Sequence, residues 1–467
     1  VLFLLKALSI MRVHFIAIGG SAMHNLALAL HEKGYQVTGS DDQIFEPSRT
    51  RLSKAGILPE QMGWFPNKIN SDIDAVILGM HARKDNPELL KAQELGLSIY
   101  SYPEYLFNQS EEKIRVVIAG SHGKTTITSM VMHVLKYFNR DFDYMVGAQL
   151  ENFDTMVRIT DKAPIMILEG DEYLSSPIDP SPKFLWYKPH VALISGIAWD
   201  HINVFPTFEE YVDQFEQFIN SMRADGVLVY CEVDSEVKKL VENNKHQLKK
   251  IAYRTPAHKI VDGVSFLTTD TGEVPLHVFG QHNLQNLNGA RLVLNQLNIS
   301  DEQFYEAIQS FGGAARRLEL IAKNDKSVVY KDFAHSPSKL KATTSAVKTQ
   351  FPDKELYAVM ELHTFSSLNA EFLATYQGSM NAADKAIVYF NPETIAHKKL
   401  DPISVGQVKE AFGREDLMVR TNSEQLQNYL KGIDWDDKVL LLMSSGNFDG
   451  INLNEFGTGL ISPNQSV

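Results

Sequence analysis

Cysteine is nearly missing from this 467-residue chain: Cys231 stands alone. No intrachain disulfide can therefore brace the fold, and a reducing compartment is the natural setting. Long apolar runs are missing as well. No stretch approaches the roughly 20 apolar residues needed to cross a bilayer, so stable membrane insertion is not expected. The opening VLFLLKALSI lacks a basic leader and a small-residue cleavage site, so it reads as an upstream extension and not as a signal peptide. Positive charge is in deficit, with 45 Lys and Arg against 57 Asp and Glu and a formal net charge of −12. Nucleic-acid backbones are bound mainly through clustered Lys and Arg, so this balance argues against such a partner. An acidic protein can still bind an anionic nucleotide, because local loops and magnesium reverse the field at the site. Heptads, internal repeats and low-complexity tracts are also lacking. What is present, 44% hydrophobic and 22% charged residues, is the composition of a globular protein, and its length asks for more than one core. A cytoplasmic, multidomain protein is expected.

Apolar runs alternate with amphipathic stretches, which predicts parallel sheets crossed by helices: an α/β protein of three domains, 11–110, 111–312 and 313–467. The first opens VHFIAIGGSAMHNLALALHEKGYQVTGSDD, a strand, a glycine pair, a helix, a second strand and then acids. This is a Rossmann-like start, but Gly19 and Gly20 are followed by Ser21, Ala22, Met23 and His24, so the dinucleotide fingerprint is not met. Asp41 stands where a ribose-binding acid would be. A dinucleotide site, a mononucleotide-diphosphate site and a mere tight turn all fit these residues.

The second domain carries AGSHGKTTITSM, residues 119–130. Gly123, Lys124 and Thr125 resemble the end of a phosphate-binding loop, but Ile118 occupies the place of the usual leading glycine, so the loop is a shortened variant. RVVIAG before it reads as a strand, and Ile127, Met130, Val131, Val134, Leu135 and Phe138 recur at helical spacing after it. A loop between a strand and a helix N-terminus is the setting that phosphate binding requires. Downstream, PIMILEGDEY brings Glu169 to a strand end and VALISGIAWDHINVFP brings Asp200 and His201 to another, and ligands of open α/β sheets gather at such ends. Thr125 with one carboxylate would suffice for magnesium, which keeps several waters. His201 is softer than magnesium prefers and, taken alone, reads as a structural or surface histidine before a ligand. In the third domain the runs LYAVM, KAIVYF and KVLLLMSSGNF predict further buried strands, the last ending in Ser444, Ser445 and Gly446.

These stretches together resemble the ATP-dependent Mur ligases of bacterial cell-wall synthesis. GSHGKTT is similar to the family's Gly-Thr-His-Gly-Lys-Thr-Thr, EGDEY to its Glu-Ala-Asp-Glu segment, and WDHINVFP to its Asp-His motif. FGQHNLQNLNGA, GGAARRLE and KDFAHSPSKL are similar to three further motifs, in the family's order. Within the family, GSDDQIFEPSRTRL, DHINVFPTF and MSSGNFDGI resemble the murein peptide ligases, which join UDP-N-acetylmuramate to a tripeptide in peptidoglycan recycling. The alternative branch joins the same nucleotide sugar to L-alanine and shares the IGGSAM opening.

The resemblance implies an amide ligase that uses ATP and Mg2+ and passes through an acyl phosphate, built from a Rossmann-like N-terminal domain, a P-loop ATPase-like central domain and a Rossmann-like C-terminal domain. It places ATP on Gly120, Ser121, His122, Gly123, Lys124, Thr125 and Thr126, with His282, Asn283 and Asn286 at adenine and Asp332 at ribose. Magnesium falls to Thr125, Glu169 and His201, and one of Arg316 and Arg317 reaches the γ-phosphate. Several relatives hold a second ion with a carbamylated lysine soon after the Asp-His motif; no lysine lies between His201 and Lys238 here. The UDP-sugar is expected on Gly19, Gly20, Ser21, Ala22, Asp41, His81, Asn86 and His122. The incoming peptide or amino acid is expected near His335, His363, Thr364, Ser367 and Asn447. His363 stands where the murein peptide branch carries Arg, and an imidazole cannot clamp a carboxylate bidentately.

Overall fold

The structure, a computed structural model, describes residues 10–150, 153–199, 204–313 and 318–462. The chain forms two compact units, Val1–Arg254 with Gln285–Ile308, and Thr255–Leu284 with Gln309–Val467.

The first unit holds two sheets. One is four-stranded and wholly parallel, in the spatial order Gln36–Ser40, Arg12–Ile16, Ala75–Leu78, Ile99–Ser101. Its helices start where the sequence provides an acceptor. Asn86 takes the N–H groups of Glu88 and Leu89 ahead of Pro87, and Ser101 forms a reciprocal capping box with Glu104.

The other sheet has seven strands, in the order Lys249–Tyr253, Val227–Cys231, Val191–Ile194, Ile114–Ala119, Ile165–Glu169, Asp143–Met145, Val157–Arg158, and only the last is antiparallel. Its inner strands are apolar without alternation: Val116, Val117, Ile118 and Ala119 are all fully buried, as are Ala192, Leu193 and Ile194. That pattern belongs to a parallel sheet covered on both faces, and each such Val, Leu or Ile contributes about 1.5–3 kcal/mol of burial. The helix Phe208–Ser221 packs Tyr211, Phe215, Phe218 and Ile219 inward and is started by a Thr207–Glu210 capping box. Cys231 is a buried strand residue, and burial raises its thiol pKa.

The second unit is built on a six-stranded sheet, Glu319–Lys323, Val328–Asp332, Lys438–Met443, Glu355–Glu361, Lys385–Tyr389, Met418–Arg420, with only the first strand antiparallel. A three-stranded antiparallel sheet, His258–Val261, Val264–Thr269 and Gly272–Leu276, belongs to the same unit. Gln350 joins the two, accepting from Ser265 Oγ at 3.0 Å and donating to the Gly263 carbonyl at 2.8 Å. Phe279 packs edge-on against Tyr330 and Phe351 beside it. No described helix is long and apolar enough to cross a membrane.

Candidate active site

Parallel register brings three chain segments to one end of the seven-stranded sheet. Ile194 pairs with Ala119 and Glu169 with Ile118, so residues 120–123, 170–173 and 195–199 leave the sheet side by side. Gly120 and Gly123 adopt φ of 125° and 77°, a region open to glycine. A Cβ on Gly120 would run into Ser195 Oγ, and one on Gly123 would sit 2.5 Å from Asn286 Oδ1. Gly123 caps the helix Lys124–Tyr137, whose first N–H groups have no intrahelical acceptors and open toward any anion beside the loop.

Lys124 lies at the start of that helix with its ammonium nearly buried. Nζ donates to the Gly120 carbonyl at 2.7 Å and to Glu172 Oε2 at 2.8 Å. Burial alone would lower its pKa, but Glu172, with Asp171 and Glu169 behind it, more than offsets this and raises it. Thr125 Oγ1 donates to Glu169 Oε1 at 2.9 Å, and Gly147 N–H donates to Oε2 at 2.9 Å. Burial pushes the Glu169 carboxyl above the ordinary range, against the pull of Gly147, Lys124 and Thr125. A hydroxyl and a buried carboxylate in contact are the hard-oxygen donors that suit magnesium. Among the described residues no three His, Cys, Asp or Glu side chains converge as a metal cluster. Magnesium, which takes only one or two carboxylates and keeps waters, fits this donor set.

Ser121 and His122 face the segment 195–199. Ser121 Oγ accepts from Ala198 N–H at 2.8 Å and lies 2.9 Å from the Tyr211 hydroxyl, while the His122 ring packs on Gly196, where a Cβ would strike it. Tyr211 in turn donates to Glu172 Oε1 at 2.9 Å. Thr126 is buried in the first helical turn.

The first domain presents a second helix N-terminus. Ser21 and Ala22 are exposed at the start of Ser21–Glu32, which has no side-chain cap. Asp41 is buried, and its Oδ2 accepts Gly19 N–H at 2.7 Å while its carbonyl accepts Gly63 N–H at 2.7 Å. Burial raises the Asp41 pKa, with the Gly19 N–H opposing. Glycine is required at 19, since a Cβ there would meet Ile44 Cγ1 at 2.8 Å and Asp41 Oδ2 at 2.9 Å. His81 is exposed and its ring lies beside Gly20. Asn86 spends its side-chain oxygen on the helix cap. His24 Nδ1 is 3.0 Å from the Gly20 carbonyl, and Arg51 Nη1 is 3.4 Å from His24 Nε2; neither stood out in the sequence.

In the second unit, Asp332 Oδ2 accepts Leu318 N–H at 2.5 Å and Oδ1 accepts Ala334 N–H at 2.6 Å. His335 Nδ1 contacts the Phe333 carbonyl at 2.7 Å. Glu361, at the end of its strand, accepts Phe448 N–H at 2.9 Å and the Ser444 hydroxyl, and lies 3.6 Å from His363 Nδ1. Thr364 Oγ1 donates to Ser367 Oγ at 2.9 Å, and Asn447 Oδ1 accepts Gly450 N–H at 2.9 Å. The helix Gln281–Asn295 spans the division between units: His282 and Asn283 belong to the second, with Asn283 Nδ2 donating to the Phe279 carbonyl at 2.9 Å, and Asn286 to the first. Asp200, His201, Arg316 and Arg317 lie outside the described residues.

Family models match two stretches: "Mur ligase family, catalytic domain" over residues 12–113 and "Mur ligase middle domain" over 118–294. The UDP-N-acetylmuramate–L-alanine ligase of Clostridium kluyveri is 31% identical over 93% of this chain and 96% of its own length. The enzyme of that name from Carboxydothermus hydrogenoformans is 28% identical over 97% of each chain. Among solved structures, the UDP-N-acetylmuramate–alanine ligase of Thermotoga maritima superposes with a TM-score of 0.67 at 20% identity, over 94% of this chain and 96% of that one. The murein peptide ligase of Psychrobacter arcticus gives 0.61 at 22%, over 96% and 98%. These structures share the three-domain α/β architecture, with Rossmann-like first and last domains, expected from the sequence.

The relatives overturn the narrower resemblance to the murein peptide ligases, because those that match nearly the whole chain at 28% and 31% identity bear the L-alanine ligase name, whereas the murein peptide ligase structure matches at 22%. Of the three segments that carried that resemblance, GSDDQIFEPSRTRL holds the Gly19 turn through Asp41, MSSGNFDGI meets Glu361 through Ser444 and Phe448, and DHINVFPTF begins outside the described residues.

Proposed function

We propose, from the premise that this chain belongs to the Mur ligase family of ATP-dependent ligases that form C–N bonds, that it joins UDP-N-acetylmuramate to L-alanine in the cytoplasm. The observation that carries the choice of substrates is the near full-length similarity to relatives of that name. The geometry supports the ATP half of the reaction: a helix N-terminus, a lysine and a hydroxyl–carboxylate pair meet in one loop system.

A carboxylate is a poor electrophile. Transfer of the γ-phosphoryl of ATP to the lactyl carboxylate of the sugar gives an acyl phosphate and ADP; the amine of L-alanine attacks the acyl carbon, the amide forms, and phosphate and a proton leave. Phosphoryl transfer needs positioning and charge neutralisation more than covalent help. Backbone N–H groups of 120–126 would cradle the phosphates, and Lys124 would neutralise them. Thr125 and Glu169 would hold magnesium, which supplies further neutralisation between phosphate and carboxylate. From sequence, His201 is proposed as a further magnesium ligand, and one of Arg316 and Arg317 as the cation that meets the γ-phosphate. Gly19, Gly20, Ser21 and Ala22 would take the UDP diphosphate at the free helix end, with His81 beside them and Asp41 holding the turn in shape. His335, His363, Thr364, Ser367 and Asn447 are the candidates for the amine side.

The test is phosphate release with ATP, Mg2+, UDP-N-acetylmuramate and L-alanine, with the product weighed by mass spectrometry. Turnover that needs all four and yields UDP-N-acetylmuramoyl-L-alanine is expected; release that does not depend on L-alanine overturns the reading. Gly19→Ala is expected to raise the KM for the UDP-sugar about tenfold or more, because a methyl group would displace Asp41 and the turn. The KM for ATP should stay within about twofold, and steady-state kinetics with each substrate varied in turn separates the two.

A further inference from the structure

We infer that Glu172, held in place by Tyr211, is a positioning residue that aims the Lys124 ammonium at the nucleotide phosphates. The inference rests on the reading of residues 120–126 as the ATP loop. An ammonium has three N–H donors. Lys124 gives one to the Gly120 carbonyl at 2.7 Å and one to Glu172 Oε2 at 2.8 Å, which fixes the direction in which the third can serve a ligand.

The far oxygen of Glu172 is anchored by a one-way chain of donors. Tyr211 spends its single proton on Oε1, at 2.9 Å. The contact of 2.9 Å between Tyr211 and Ser121 is then a donation from Ser121, whose oxygen accepts from Ala198 N–H at 2.8 Å. Backbone at 198, the phosphate loop, the helix Phe208–Ser221 and the turn after Glu169 are all oriented toward one fully buried carboxylate.

That carboxylate has two opposed effects. It aims Lys124, and its negative charge repels the phosphates Lys124 must meet. Removing the charge while keeping the shape should therefore tighten ground-state nucleotide binding and slow the chemical step, since only correctly placed charge helps the transition state. A side chain that merely supports the fold would move both in the same direction or neither.

The experiment is calorimetric titration of Mg–ADP into wild type, Glu172→Gln, Glu172→Asp and Tyr211→Phe, with kcat from phosphate release. Glu172→Gln is expected to lower the Kd for Mg–ADP about five- to tenfold and kcat on the order of 100-fold. Tyr211→Phe, which keeps the charge but frees one carboxylate oxygen, should lower kcat about two- to fivefold without lowering Kd. Glu172→Asp keeps the charge and should bring Kd back toward wild type. A Glu172→Gln protein whose Kd is unchanged or raised, or whose kcat stays within about threefold, overturns the proposal. If that variant does not fold, Tyr211→Phe decides: a kcat equal to wild type, or a Kd for Mg–ADP that falls although the charge remains, overturns the proposal. Wild-type protein that fails to bind Mg–ADP would defeat the ATP-loop reading itself, a distinguishable result.

Discussion

Lys124→Ala is expected to lower kcat/KM on the order of 1,000-fold, the scale on which a single preorganised cation or donor acts in phosphoryl and acyl transfer. It should also destabilise the chain by about 3 kcal/mol, because removing one partner of a buried ion pair leaves the other charge uncompensated. Glu172 would keep the Tyr211 hydrogen bond but lose its ammonium. The two losses have different causes and can be separated. Adding Glu172→Gln to Lys124→Ala removes the stranded charge, so thermal stability should return most of the way while activity does not. Thermal melts and phosphate release on the two variants check this. Activity within about tenfold of wild type in Lys124→Ala would move the phosphate site away from this loop.

The parts of the site that were legible in the sequence are those where local pattern and tertiary position coincide. Apolar runs without alternation, such as RVVIA and MILE, report a parallel sheet covered on both faces. In such a sheet the residue after each run must emerge at one edge, which is why Glu169 could be placed near Thr125 from sequence, and the contact is 2.9 Å. Glu172 and Tyr211 were not legible. They are 39 positions apart, and Tyr211 sits on an amphipathic helix where its spacing matches that of its apolar neighbours Phe215, Phe218 and Ile219. Asp41 and Asn86 show a second limit. Acceptors beside glycine or proline suit a ligand or the backbone equally well in sequence, and here both serve backbone N–H groups. Thr255–Leu284, read with the central domain, groups in space with the last sheet through Gln350 and Phe279, long-range contacts that no local periodicity encodes.

Glu169→Gln is expected to abolish most turnover, on the order of 100- to 1,000-fold in kcat, while leaving the protein at least as stable as wild type. The amide can keep the local hydrogen bonds: Oε1 can accept from Gly147 N–H, and Nε2 can donate to Thr125 Oγ1, whose hydroxyl turns to accept. What disappears is a charge that burial disfavours, so the melting temperature in magnesium-free buffer should hold or rise. The difference should reverse when ligand is added. Saturating Mg–ADP stabilises a protein that binds it by about 2.7 kcal/mol at 100 times Kd, and wild type should show that gain. The variant, lacking the carboxylate that makes this pair a cation site, should show little of it. Equal Mg–ADP stabilisation in both proteins would remove Glu169 from the metal site and leave its burial without a functional reason. A melt that drops sharply without ligand would instead make Glu169 a structural anchor for Thr125 and Gly147. The expected pattern, a less stable resting state that gains most from its ligand, is what a carboxylate whose charge is disfavoured by burial until a divalent cation arrives should produce.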